Sequence, residues 1–255
     1  MATENKVAVS VVGAAETTGT CWSCREMRAA HFCEACGKVQ PAQPTDYFSF
    51  FGLPRKLNLD TAELEREFYR LSRRLHPDVY ARASRQEQQW SLEKSSQLND
   101  AYRTLKDPIS RTEYLLRLEG VQLEEQSQAA TRQARETGQE KKQAVPPDLL
   151  EEAFEFNMQL EELRTSKKMG EVGPELVEQL REAKRNFEQK LDALSAELKQ
   201  LWDEWDALPI HEHGDYEQHQ DEPKRAYVRS KMVDLINRRS YIRNLVRDVS
   251  EALEN

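Results

Sequence analysis

Residues 61–78 read TAELEREFYRLSRRLHPD. Leu64, Phe68, Leu71 and Leu75 step by four, three and four, the repeat of a helix that buries one face. Asp60 or Thr61 opens it, and Arg66, Arg70, Arg73 and Arg74 follow the same rhythm on another face. The run must stop at His76-Pro77-Asp78, because the residue before a proline is driven out of the α region. A second helical pattern, roughly Gln86 to Leu105, points Trp90, Leu98, Ala101, Tyr102 and Leu105 inward and ends at Lys106-Asp107-Pro108. Two such rods joined by a short connector are expected to lie antiparallel, with the HPD turn exposed at one end of the hairpin.

Upstream, Asp46 is an N-cap candidate for a short apolar helix Tyr47–Phe51, closed by Gly52-Leu53-Pro54. Downstream, Ser110 to Leu118 forms a last short helix with Tyr114, Leu115 and Leu118. All four cysteines of the chain fall just before this region, as Cys21-Trp-Ser-Cys24 and Cys33-Glu-Ala-Cys36. Disulfide scaffolds spread their bridges over the fold, so this clustering points elsewhere. Two CxxC pairs on tight turns suit one tetrahedral ion, and Gly37 permits a positive φ after the second pair. Four thiolates at about 2.3 Å favour one structural Zn²⁺ and leave no open coordination position. Iron in the same site and dithiol redox chemistry are the alternatives; the latter lacks the βαβ pattern that usually accompanies it. His31, the one histidine of the segment, is expected to be a solvated loop residue. So short a segment has little core of its own, so the ion supplies its folding free energy.

The second half of the chain reads as three long helices. The first carries Leu149, Ala153, Phe156, Leu160 and Leu163 and stops before Gly170. The second runs from about Pro174 to about Leu208, with Phe187, Leu191, Leu194, Leu198, Leu201 and Trp205 along its seam. The third spans about Asp221 to Leu253, with Val228, Met232, Leu235, Ile242, Val246, Val249 and Leu253. Such seams bury against one another as an antiparallel three-helix bundle. Leu150, Phe154 and Met158 repeat every four residues outside the inward seam, with Glu161 and Glu162 a turn further on. Apolar side chains in a row on an outer face suggest a partner site. A Gln- and Glu-rich stretch, 119–147, reads as a linker with some helix near Gln126–Glu140. His211, His213 and His219 sit in a polar loop between the last two helices and are expected to be solvated.

Composition narrows the classes. The 255 residues carry 37 Lys+Arg against 45 Asp+Glu, with only 9 Gly and 10 Pro. Abundant Glu, Gln, Leu, Lys and Arg favour helix and argue against a large α/β enzyme. Residues 46–118 hold 13 basic and 11 acidic side chains, a net of +2, while 148–255 hold 16 and 25, a net of −9. Net acidity disfavours duplex DNA, whose phosphates need clustered cations. No apolar run approaches the ~18 residues of a membrane span. The first twenty residues, with one Lys, two Glu and no Arg, suit neither a secretory signal nor a mitochondrial presequence.

Position gives the HPD tripeptide its meaning: it ends an arginine-striped helix in a hairpin that continues into LNDAYRTLKDP. The segment resembles a J-domain, the module that stimulates ATP hydrolysis by DnaK-type chaperones. DYFSFFGLP, the HPD turn, LNDAYRTLKDP and RTEYLL are similar to the HscB family of iron–sulfur cluster biogenesis, and the CWSC…FCEAC prefix to its animal-type members. The resemblance covers about 21–255, strongest through 21–118. It implies an all-α fold: a small tetracysteine metal module (21–44) after a flexible start (1–20), a J-domain hairpin (45–118), a linker (119–147) and a three-helix bundle (148–255).

The resemblance also implies a function. The chain would be a co-chaperone without a catalytic residue that binds an IscU-type iron–sulfur scaffold and brings it to a DnaK-type chaperone ATPase. His76, Pro77 and Asp78, with Arg70, Arg73 and Arg74, would face the chaperone. Phe154, Met158 and Glu162 fall at the family's scaffold-binding positions, and Tyr241 matches a later aromatic. Glu155 departs from the family pattern, standing where an apolar residue is common. The family points to the mitochondrion, with the cytoplasm as the alternative, and pairing with a second copy of the chain is left open. The rivals are a general J-domain co-chaperone, a zinc-containing helical adaptor and a dithiol oxidoreductase.

Overall fold

The structure, a computed structural model, describes residues 19–26, 31–121, 123, 146–170, 172–209 and 221–254. The expected helix near Gln126–Glu140 and the loop histidines His211, His213 and His219 lie outside the described residues. Among those described there are helices and turns but no strand, and an isolated bridge joins Phe32 and Val39. The helices are α1 (Tyr47–Phe50), α2 (Thr61–Leu75), α3 (Arg85–Lys106), α4 (Pro108–Leu118), α5 (Leu150–Met169), α6 (Pro174–Asp206) and α7 (Glu222–Glu254). The chain divides into two units, Met1–Arg111 and Thr112–Asn255.

In the first unit, α2 starts where the Asp60 side chain accepts from the amides of Ala62 (2.9 Å) and Glu63 (3.1 Å). It buries Leu64, Leu71 and Leu75, each such side chain contributing roughly 1.5–3 kcal/mol. Ser84 and Glu87 form a reciprocal capping box that opens α3. The two helices run antiparallel: the Tyr102 hydroxyl donates to Glu65, while the hydroxyls of Ser91 and Ser95 each donate to the Leu75 carbonyl at 2.7 Å. This end of the hairpin corrects the expected seam. The buried positions in the first half of α3 are Glu87, Ser91 and Lys94, and Trp90 is only half-buried. The reason is polar: a helix broken by proline leaves end carbonyls without amide partners, and two serines supply one of them.

In the second unit, α5 is covered on one face by a cluster of Leu149, Ala153, Phe156, Leu160 and Leu163 with Leu180, Phe187, Tyr241, Ile242, Leu245 and Val249. Phe156 meets Phe187 edge-on at 5.2 Å. Glu152 pairs with Lys190, Arg238 with Asp148, and Lys167 donates to the Ala252 carbonyl. These ties fix the directions: α6 is antiparallel to α5, and α7 runs back parallel to it. Gly170, at φ +77°, ends α5. The bundle is three-helical over only part of its length. At 1.5 Å per residue, α5 reaches about 30 Å and α6 and α7 about 50 Å. Leu198, Trp202 and Trp205 of α6 and Val228, Met232 and Ile236 of α7 are buried outside the α5 cluster. There Arg225 lies over the Trp205 ring (4.3 Å) and, with Arg229, holds Glu119 just after α4.

Candidate functional site

Pro77 sets the hairpin tip. It forces His76 to an extended ψ of 132°, and Pro77–Tyr80 then form a 3-10 turn. The His76 carbonyl accepts from the Val79 amide (3.0 Å), and its Nδ1 accepts from the Asp78 amide at 3.3 Å. Asp78 is left 90% exposed at its side chain and His76 56%. The turn is thus closed by its own histidine and offers a carboxylate to solvent. Arg70, Arg73 and Arg74 are all exposed on the flank of α2. Two of them are already engaged. Arg70 makes a forked pair with Glu67, and the Arg74 guanidinium lies 3.8 Å from the centre of the Phe32 ring. A solvent-exposed pair such as Arg70–Glu67 contributes about 0–1 kcal/mol, so a competing carboxylate can take Arg70 at little cost.

The four cysteines converge in the same unit. All four Sγ atoms lie within 4.8 Å of one another, with Cys21–Cys36 at 3.7 Å and Cys24–Cys33 at 3.5 Å. A tetrahedron with bonds of about 2.3 Å has edges near ~3.8 Å, so the group fits one ion. Two matching turns build it. The Cys21 carbonyl accepts from the Arg25 amide and the Cys33 carbonyl from the Gly37 amide, while the cysteine amides donate to Glu26 and Lys38. Gly37 takes φ +70° without cost, whereas Arg25 is held at φ +69° with a side chain attached. Burial pushes the Cys21 thiol up, but the Cys24 and Ser23 amides and the Gln40 side chain outweigh it and bring it down to about 6. The Glu26 amide draws Cys24 down, yet burial and the three neighbouring thiols carry it up to about 12. Four thiols this close cannot all ionise unless a cation sits among them.

His31 corrects the expectation of a solvated loop residue. Its Nε2 donates to the Phe50 carbonyl (2.8 Å), its ring lies 4.5 Å from that of Phe50, and Nδ1 faces Lys94 Nζ at 3.5 Å. Burial, then the nearby Lys94 charge, lowers it to about 4, so it is neutral at physiological pH. Sequence reasoning also missed that the module is fastened to the hairpin. Lys38 pairs with Glu87 at 2.8 Å, and Trp22 meets Trp90 edge-on at 5.5 Å.

On α5, Leu150, Phe154 and Met158 are 58%, 64% and 60% exposed, and Glu155 and Glu162 are exposed too. Tyr241 does not join them. Only 7% exposed, it belongs to the buried cluster behind α5. One turn of α7 places Tyr241, Ile242 and Leu245 on the inward seam, so the ring packs inward behind α5.

Residues 46–114 match the DnaJ domain family, and the hairpin with its exposed HPD tip lies inside that match. Similarity extends further. The iron–sulfur cluster co-chaperone HscB homologue of Arabidopsis thaliana is 29% identical over 173 residues, 68% of this chain and 63% of that one. The Homo sapiens HscB is 39% identical over 115 residues, 42% of this chain and 48% of that one. The chain thus spans less than two thirds of the length of the curated relatives it matches. The crystal structure of human HscB shares the fold, with a TM-score of 0.56 at 22% identity over 91% of this chain and 98% of that one. Over part of its length the chain is thus similar to proteins named as HscB co-chaperones, and its four cysteines are grouped to hold one metal ion.

Proposed function

We propose that the chain binds an IscU-type iron–sulfur scaffold protein, presents it to a DnaK-type chaperone and stimulates that chaperone's ATPase, acting without a catalytic group of its own. The observation that carries this reading is the hairpin tip: a proline-fixed turn with His76 folded onto it and the Asp78 carboxylate in solvent. Asp78 accepts from cationic or polar donors of the chaperone, and Arg70, Arg73 and Arg74 pair with its acidic groups, setting encounter rate and register. Stimulation then requires tighter binding to the hydrolysing conformation than to the resting one. The exposed row Leu150, Phe154 and Met158, with Glu162 beyond it, supports a scaffold-binding face on α5. Tyr241 supports that face from within the core. The four thiolates hold Zn²⁺, which suits an all-sulfur tetrahedron with no open position. The site of action is the mitochondrion.

The test is single-turnover ATP hydrolysis by a DnaK-type chaperone, with and without the scaffold, comparing wild type with His76→Gln. The variant loses the cap on the Asp78 amide and is expected to fold normally while stimulation falls to the unstimulated rate. Equal stimulation by both proteins overturns the reading.

A further inference from the structure

The HPD turn lies between two anchor points, Arg74 two residues before it and Glu87 in the first turn of α3 after it. Both are held by residues adjoining the cysteines. Phe32, next to Cys33 and 8% exposed, seats the Arg74 guanidinium at 3.8 Å. Lys38, two residues beyond Cys36, pairs with Glu87 at 2.8 Å. Trp22, next to Cys21, donates from Nε1 to the Val39 carbonyl (2.8 Å) and meets Trp90 of α3 at 5.5 Å. The isolated bridge of Phe32 with Val39 joins these points inside the module. A segment of this size has no orienting core of its own beyond the thiolates and the ion they hold.

We infer that the tetracysteine module is a positioning element for the chaperone-facing edge of the hairpin, with Phe32 holding Arg74 in place and Lys38 and Trp22 steadying the start of α3. The inference rests on the proposed chaperone function for its consequence but not for its geometry. A free arginine samples many rotamers, and a guanidinium stacked on a ring keeps its plane and reach. Arg74 is thereby set toward an acidic partner before contact, without any module residue touching that partner. Metal loss dissolves the seat, and the cation on the flank of the turn is released.

The experiment uses the full chain loaded with zinc, with Phe32→Leu to remove the aromatic face at similar bulk and Phe32→Tyr to keep it. The first readout is the NMR resonance of the Arg74 Nε–H. A ring-current displacement is expected in wild type and Phe32→Tyr, and its loss in Phe32→Leu and after chelation. The second is affinity for the chaperone. Phe32→Leu is expected to weaken it about two- to fivefold, the factor matching an exposed cation–π contact, with Phe32→Tyr restoring it. Adding Phe32→Leu to Arg74→Gln should cost nothing further. An undisplaced Arg74 resonance in the zinc-loaded wild type overturns the inference, and so do additive losses in the double variant. If His76→Gln leaves ATPase stimulation intact, the chaperone reading fails while the resonance still decides the role of Phe32.

Discussion

Asp46 shows how one side chain closes a local structure and gives it a pH dependence. It accepts from the Phe48 and Ser49 amides at 3.0 Å each and pairs with Arg55 at 2.9 Å. Burial pushes its carboxyl up, but the Ser49 amide and the Arg55 guanidinium outweigh this and hold it below the usual carboxylate range. Its stabilising contribution is therefore complete above the unfolded value of about 3.9 and is lost as pH falls through the lower folded value. Asp46→Asn keeps an acceptor for the cap but loses the charge facing Arg55. At about pH 7 it should be less stable by roughly 1 kcal/mol in urea unfolding, with the gap closing toward about pH 3. A gap of constant size across that range contradicts the assignment.

Among the elements, α5 carries the sharpest contrast between its two sides. Ala153, Phe156, Leu160 and Leu163 are buried while Leu150, Phe154 and Met158 stand in solvent. Replacing both Phe154 and Met158 by alanine removes exposed apolar surface only, so the melting temperature should hold. Affinity for the scaffold protein, measured by calorimetry, should fall at least about tenfold, as for two buried anchors of an interface. Unchanged affinity would move the binding face elsewhere. This contrast was legible in the sequence, because a buried stripe and a second apolar row have different phases along one helix. Helix bounds were legible for the same reason, since Asp60, His76-Pro77, Gly170 and Pro174 each leave a local mark. Ser91 and Lys94 as buried positions were not. Their place depends on the Leu75 carbonyl and on His31, contacts made across 16 and 63 residues, for which no local periodicity exists. The burial of Tyr241 was not legible either, because an aromatic near a surface seam has two equally apolar directions open to it.

For the whole molecule, the division into Met1–Arg111 and Thr112–Asn255 puts the metal group in the unit that carries the HPD turn. Chelation should lower the melting temperature of that unit and leave the helix bundle untouched. Calorimetry of the zinc-loaded and metal-stripped protein reads this as one transition moving and the other staying. Equal displacement of both transitions argues against independent units. The site's chemistry was readable from the spacing of CWSC and FCEAC, but its attachment was not. Lys38 and Glu87 are 49 residues apart, Trp22 and Trp90 farther still, and pairings of that range are set by tertiary packing alone.

The double grip of Ser91 and Ser95 on the Leu75 carbonyl bears on how fast the corner can be recognised. Both hydroxyls come from the neighbouring rod, so the loop's geometry is settled before any encounter. A visiting protein meets that end of the turn already fastened, so less entropy is surrendered there on arrival. Recognition of that corner is then limited by collision and charge rather than by ordering of the turn.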